Sequence, residues 1–467
     1  MENAVSEKND FTSGKVLKKL ILFTIPMAIA TFLQMLFNAA DVAIVGQFAG
    51  ATYQAAVGAT SSTVHLIVNL FVGLAVGANV VMANAFGAKD EKRQQRVVHT
   101  SMATAIVSGV LVLFVGIFLS RPILKAIGTP ADIIDYSVLY MQIYFLGAPA
   151  LLVYNFGASV MRGVGETRKP LYYLLVSGVL NVIINAVTVI FFDLHVIGVA
   201  LGTTVSLYVS AVWLVIDLRR AKDGSHYSIR KTRFYKKEFG KLMLIGLPMG
   251  LNSCFFSFSN LFFQSSVNAY GSAAVAGNTI ASNIETFADA FCSSVEKAVV
   301  TFVGQNMGAK KPERLNRILG AGLVACGACS GIFTLLMAVA GRYVSMIYSR
   351  DAVVLDWAMK RILIIGVSNL LMTPMYCYGG ALRGMGYSLP PMLINLFLTC
   401  VVRIFYLLLI YPRFATQFIW QVYIVYPITW ALSSILQTIT YYVCAAKEKR
   451  ARLLERNAEL LSESKGA

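Results

Sequence analysis

The stretch FGASVMRGVGETRKP, residues 156–170, has a counterpart in ALRGMGYSLPP, residues 381–391. Arg162-Gly163 matches Arg383-Gly384, and Pro170 matches Pro391, each pair 221 residues apart. Further out, Phe86-Gly87-Ala88-Lys89 pairs with Met307-Gly308-Ala309-Lys310 at the same offset. Ile25-Pro26-Met27 pairs with Leu247-Pro248-Met249 at an offset of 222. Matches at four separated places, in register to within one residue, imply a duplicated chain whose two copies run through the same elements in the same order.

The composition fixes what those elements are. Of 467 residues, 57% are AVILMFWYC and only 13% are charged, with a mean hydropathy of +0.66. A soluble or disordered chain is excluded. A spanning helix needs roughly 20 apolar residues. Twelve such runs are predicted, at about 18–45, 54–84, 97–120, 133–161, 170–192, 196–218, 242–268, 273–305, 318–341, 355–382, 390–411 and 418–445. The start of the chain is largely polar up to Phe11, and the first apolar run is long enough to stay in the membrane, so no cleaved signal is expected.

The expected fold is an all-α polytopic membrane protein. Twelve transmembrane helices form two six-helix lobes related by a pseudo-two-fold along the membrane normal. The expected organisation is an N-terminal lobe at 1–218, a basic linker at 219–241, a C-terminal lobe at 242–446 and a tail at 447–467. An even helix number per repeat makes the repeats parallel, an arrangement suited to alternating access around a central cavity.

The net charge of +17 invites a nucleic-acid reading, but the charges sit at helix ends, where basic residues set topology. Of 40 Lys and Arg, 31 lie in the N-terminus, the even-numbered connections and the tail; seven lie on the opposite side and two, Lys297 and Arg403, lie within spans. The positive-inside rule then places both termini in the cytoplasm of a plasma-membrane protein. The linker RRAKDGSHYSIRKTRFYKKEFGK carries nine Lys and Arg, enough for attraction to anionic lipid headgroups. The seven cysteines fall in apolar stretches, and Cys326-Gly-Ala-Cys329 reads as helix packing rather than a redox pair. The four histidines are scattered and there is no P-loop, so neither an enzyme nor a direct ATP-driven pump is indicated.

Polar residues inside spans mark function by default. Asp41 lies about 21 residues past Leu20, some 30 Å along the first helix. Gln34, Asn38 and Asp41 share one helical face. Asn181 and Asn185 share a face of the fifth helix, and Thr203 lies in the sixth. The eighth helix carries Asn278, Glu285, Asp289 and Glu296 in one stripe, spread over about 40° for the three acids. The equivalent positions of the second helix are Val64, Val68 and Ala75, so the acids belong to the second lobe alone. Four acids within spans against Lys297 and Arg403 leave a negative interior, which favours organic cations as substrates. Glu285, and secondarily Asp289, is expected to hold the substrate, with Glu296 and Asn278 in the same binding stripe; the alternative is that Asp289 and Glu296 are paired to Arg403 and Lys297. Met35, Tyr154 and Phe255 are further candidates for a cavity lining, since aromatic faces bind cations and Met surfaces adapt to varied shapes.

The chain also resembles the multidrug and toxic compound extrusion (MATE) transporters. The resemblance rests on IPMAIATFLQMLFNAADVAIVGQFAG (25–50), GANVVMANAFGAKDEKR (77–93), FGASVMRGVGETRKP, VTFVGQNMGAKKPER (300–314) and ALRGMGYSLPP, in that order. It implies export of organic cations in exchange for H⁺ or Na⁺, and a cation-coupling site at Asp41, Asn181, Asn185 and Thr203. The family position matching Asn185 is commonly Asp, so this chain has lost a second acid there. No other cofactor is expected, and one chain can hold the whole route as a monomer. The competing expectations are a lipid-linked oligosaccharide flippase of the same superfamily, which calls for a basic cavity and often fourteen helices, and an uncoupled channel or receptor, which needs no duplicated bundle.

Overall fold

The computed structural model describes residues 10–414 and 418–466. Twelve helical rods follow one another, with no strand among the described residues. They are α1 Val16–Ala49, α2 Ala51–Gly87, α3 Glu91–Ala126, α4 Ile134–Leu146 plus Ala148–Gly163, α5 Arg168–Phe191 and α6 His195–Arg220. The second set is α7 Lys236–Asn268, α8 Ser272–Gly308, α9 Pro312–Ser345, α10 Ala352–Gly384, α11 Leu389–Arg413 and α12 Ile419–Leu454. The backbone of α12 stays helical to Gly466.

Ten of the rods are long and apolar enough to cross a membrane, and the bent α4 makes an eleventh. The remaining rod, α8, has 37 residues but carries Glu285, Asp289, Glu296 and Lys297, which lower its apolarity. The 46° bend in α4 falls at Gly147, just before Pro149. Proline there lacks a donor for the preceding turn. On α3, a Cβ at Gly109 would come within 2.5 Å of the Pro149 Cα, so glycine admits the bend.

The duplication is written into the backbone. The left-handed turns fall in pairs 221 residues apart: Gly50 and Gly271 open α2 and α8, Lys89 and Lys310 follow their ends, and Gly165 and Gly386 follow α4 and α10. Lysine accepts this costly conformation twice, because the turn returns backbone donors to the orphan carbonyls of the helix end. Lys89 N donates to Phe86 O and Asp90 N to Ala85 O at 2.9 and 3.1 Å; Lys310 N donates to Met307 O and Lys311 N to Asn306 O at 3.2 and 2.9 Å.

The chain divides into two compact units. The first comprises residues 25–253 and the second residues 10–24 and 254–466 of the described chain. The basic 219–241 segment therefore folds within the first unit, together with residues 242–253 of α7. In the first unit, Val45, Val57, Val189, Val196 and Val199 pack with Tyr140. There α2 and α7 cross backbone to backbone through two GxxxG pairs, Gly73/Gly77 and Gly246/Gly250. A Cβ at Gly73 would lie 2.5 Å from the Gly250 Cα. In the second unit, Phe263, Tyr423, Tyr426 and Trp430 form an aromatic core. Phe11 stacks on Phe302 there, at 3.9 Å between centroids, and its backbone N–H donates to Gln305 Oε1 at 3.1 Å. All seven cysteines are free thiols.

Candidate functional site

In the first unit, α1 brings Asp41 against the packed pair α5 and α6. Asp41 is buried. Asn185 Nδ2 donates to Asp41 Oδ1 at 2.5 Å, and Thr203 Oγ1 donates to Asp41 Oδ2 at 3.5 Å. With its amide turned so that nitrogen faces the acid, Asn181 donates to Asp41 Oδ1 at 2.9 Å, and its oxygen accepts from the Thr203 backbone N–H at 3.2 Å. The structure thus brings together the four residues Asp41, Asn181, Asn185 and Thr203.

Two features complete this cluster. Asn185 is fully buried, and its Oδ1 has no hydrogen-bond partner among the described residues. A buried orphan carbonyl beside a carboxylate supplies a second oxygen for a hard cation. Gly202 sits directly over it: a Cβ there would lie 1.9 Å from Asn185 Oδ1. Wide π-type turns, Val45–Ala49 and Val187–Phe191, follow Asp41 and Asn185 within a few residues. Such turns recur at functional sites. Tyr140 and Tyr144 of α4 lie within electrostatic reach of Asp41. Gln34 and Asn38 share the helical face but are exposed and stand outside the hydrogen-bonded cluster. Met35 is partly buried.

The second unit corrects the expected ion-pair partners of the acid stripe. Glu285 is not an uncompensated charge. Arg361 of α10 grips it, with Nη2 donating to Oε2 at 2.7 Å and Nε to both carboxylate oxygens at 3.3 Å. Arg361 Nη1 also donates to Asn278 Oδ1 at 2.6 Å, and Asn278 Nδ2 donates to Gln264 Oε1 at 3.0 Å. The side chains of the pair are only 12% and 8% exposed. Glu296 is buried and ion-paired with the buried Arg383 rather than with Lys297 or Arg403. Arg383 therefore turns inward rather than out to the headgroups.

Asp289 accepts a hydrogen bond from the Tyr376 hydroxyl and lies within electrostatic reach of Lys297. It remains exposed. Arg403 pairs with none of these acids. It is fully buried, stacks over the Tyr426 ring at 3.9 Å and donates through Nη2 to Thr429 Oγ1 at 3.3 Å. Its Nε and Nη1 have no hydrogen-bond partner among the described residues. The four acids of the spans are thus matched by four bases, Lys297, Arg361, Arg383 and Arg403. The expected negative excess disappears once Arg361 and Arg383 are counted inside.

Tyr154 and Phe255 were expected as cavity residues. Tyr154 is buried, and its hydroxyl donates to the Pro170 carbonyl at 3.0 Å, which ties α4 to the start of α5. Phe255 is partly buried in the second unit. Sequence reasoning missed Arg361, Arg383, Tyr376 and Gly202. A signal existed for Arg361: it lies within the apolar run 355–382, where a charge needs a partner. No spacing rule points to the others: Tyr376 and Arg383 lie 87 residues from their partners, and Gly202 meets Asn185 across two helices.

The fold has known counterparts. A relative described as a probable multidrug resistance protein, YoeA of Bacillus subtilis (strain 168), is 26% identical over 97% of this chain and 99% of its own length. The multidrug export protein MepA of Staphylococcus saprophyticus is 24% identical over 80% of this chain and 83% of its own. A MATE crystal structure in the bent conformation superposes with a TM-score of 0.89 at 18% identity, over 96% of this chain and 99% of that one. The MatE family model matches twice, at 26–187 and at 248–409. Those two matches begin 222 residues apart, which is the repeat offset carried by Pro26 and Pro248. Matched across both copies of its internal repeat, the chain belongs to the MatE family of membrane transporters.

Proposed function

We propose that this chain is a secondary active multidrug efflux transporter. It exports small organic cations across the plasma membrane by alternating access, in exchange for H⁺ or Na⁺, with both termini in the cytoplasm. The observation that carries this reading is the Asp41 cluster. A carboxylate enclosed by two amides and a hydroxyl, with no Lys or Arg hydrogen-bonded to it, is incomplete without a cation or a proton. Asp41, the free Asn185 Oδ1 and Thr203 together offer hard oxygen donors suited to Na⁺, and Asp41 alone suffices for H⁺. The relatives' descriptions as multidrug resistance and export proteins support the substrate class.

Substrate contact in the second unit falls to Asp289, the acid of the stripe that stays exposed, while Glu285 is occupied by Arg361. The test is dye efflux from proteoliposomes with a pH gradient and a Na⁺ gradient imposed separately. Ethidium efflux driven by one of the two supports exchange, and efflux indifferent to both overturns it.

A second reading rests on Arg403, whose two unpartnered guanidinium nitrogens favour an anionic group on the substrate. A lipid-linked sugar flippase calls for such basic groups in its interior, whereas the four acids of the spans here are balanced by four bases. Gradient-driven movement of an anionic dye, with ethidium left behind, selects it over the first reading.

A further inference from the structure

The 219–241 segment is a built structure and not a loose tether. Ser228 N donates to His99 Nε2 at 3.2 Å, and Tyr235 N donates to Thr100 Oγ1 at 3.2 Å. The other ring nitrogen of His99, Nδ1, lies 2.6 Å from the Gln95 carbonyl and is therefore the donor. These bonds strap the segment along the polar first turns of α3. Lys92, Arg96 and His99 occupy one helical face there, at i, i+4 and i+7.

Between strap and helix lies a pocket of about 550 Å³, entirely within the first unit. Five cations line it: Lys92, Arg96, Arg230, Lys231 and Arg233. No Asp or Glu does so among the described residues. The acids nearby are engaged elsewhere. Asp90 caps α3 at Arg93 N, Glu238 pairs with Arg93, and Asp223 accepts from Ser225 N. Glu91 is exposed in the first turn of α3, outside the lining.

Five like charges held around one pocket repel each other, and a multiply charged oxyanion relieves that repulsion. Arginine presents a planar fork that matches phosphate oxygens. Two further observations choose between a dissolved phosphate and a lipid. Ile229 and Phe234, on the same strap, are 57% and 47% exposed beside the cations. The apolar run of α3 begins at Val97, so the pocket stands at the level where the helix leaves the membrane. Exposed apolar side chains next to a basic pocket at that depth suit a headgroup with its acyl chains attached.

We infer that this pocket binds the phosphate headgroup of an anionic phospholipid. The test is native mass spectrometry of the detergent-solubilised full-length protein, titrated with dioleoylphosphatidylglycerol, dioleoylphosphatidylcholine or sodium pyrophosphate. Wild type is expected to retain phosphatidylglycerol over phosphatidylcholine. Lys92→Gln/Arg96→Gln/Arg230→Gln/Lys231→Gln should reduce that preference by roughly tenfold or more, because each cation near the surface contributes to anionic-lipid attraction. Removal of the same charge from the same region outside the pocket, in Arg219→Gln/Arg220→Gln/Lys236→Gln/Lys237→Gln, should leave most of the preference intact. All eight side chains are exposed, so neither variant disturbs the core. Equal retention of the two lipids by wild type overturns the inference. So does an equal loss in both variants, or retention of pyrophosphate without phosphatidylglycerol.

Discussion

Glu285 and Arg361 show how one contact changes the meaning of a residue. From its spacing, Glu285 is an acid on the open face of a helix. In the structure it is half of a buried ion pair, with Asn278 completing the guanidinium's bonds. Removing one partner of such a pair leaves the other charged and desolvated, which destabilises by about 3–5 kcal/mol. Glu285→Gln should therefore lower the melting temperature of the purified protein, and adding Arg361→Gln should restore most of the loss. An unchanged melting temperature with weakened binding of a cationic dye would return Glu285 to the role of substrate ligand. Gly202 acts at the same scale. Gly202→Ala places a methyl against Asn185 Oδ1, so gradient-driven ethidium efflux should fall while folded yield holds. Full efflux in this variant would show that the Asn185 carbonyl takes no part in coupling.

At the scale of helices, close approach decides which glycines matter. Gly73 meets Gly250 where α2 crosses α7, while Gly58, also on α2, has nothing near its Cβ position. Gly73→Ala forces the two backbones apart and should destabilise by about 1–3 kcal/mol. Gly58→Ala should be neutral or slightly stabilising, because it only restricts the unfolded chain. Thermal melts of the two variants give the comparison, and equal behaviour would mean that the crossing is looser than the structure shows.

The helices themselves were legible in sequence, since a run of apolar residues long enough to span reports its own existence. The left-handed turns at Lys89 and Lys310 were foreshadowed by the repeated Gly-Ala-Lys. The Asp41 cluster was legible only with help. Spacing put Asn181 and Asn185 on one face, but the family resemblance joined them to Asp41 across 144 residues. Arg383 stayed hidden because it sits at the end of a span, where arginines ordinarily reach for water; Arg361, inside an apolar run, signalled the need for a partner but not which one. Nothing local distinguishes an arginine that turns outward from one that turns in.

For the molecule as a whole, the excess of Lys and Arg on one set of connections supports the proposed cytoplasmic termini. A single cysteine at Lys237→Cys, in a cysteine-free background, should resist a membrane-impermeant maleimide in intact cells and react in inverted vesicles. Labelling from outside would reverse the topology and put the basic pocket on the wrong leaflet. The central claim is that one buried carboxylate, Asp41, couples export to an ion gradient. The most direct measurement is ethidium efflux from proteoliposomes carrying wild type or Asp41→Asn, under the gradient that drives wild type. Asn keeps the shape and one acceptor oxygen for the Asn185 amide, and its own N–H₂ can donate to the Thr203 hydroxyl, while the charge is removed. Efflux by Asp41→Asn is expected to fall to the rate of protein-free vesicles, with yield and melting temperature preserved. Undiminished gradient-driven efflux in Asp41→Asn would contradict the claim.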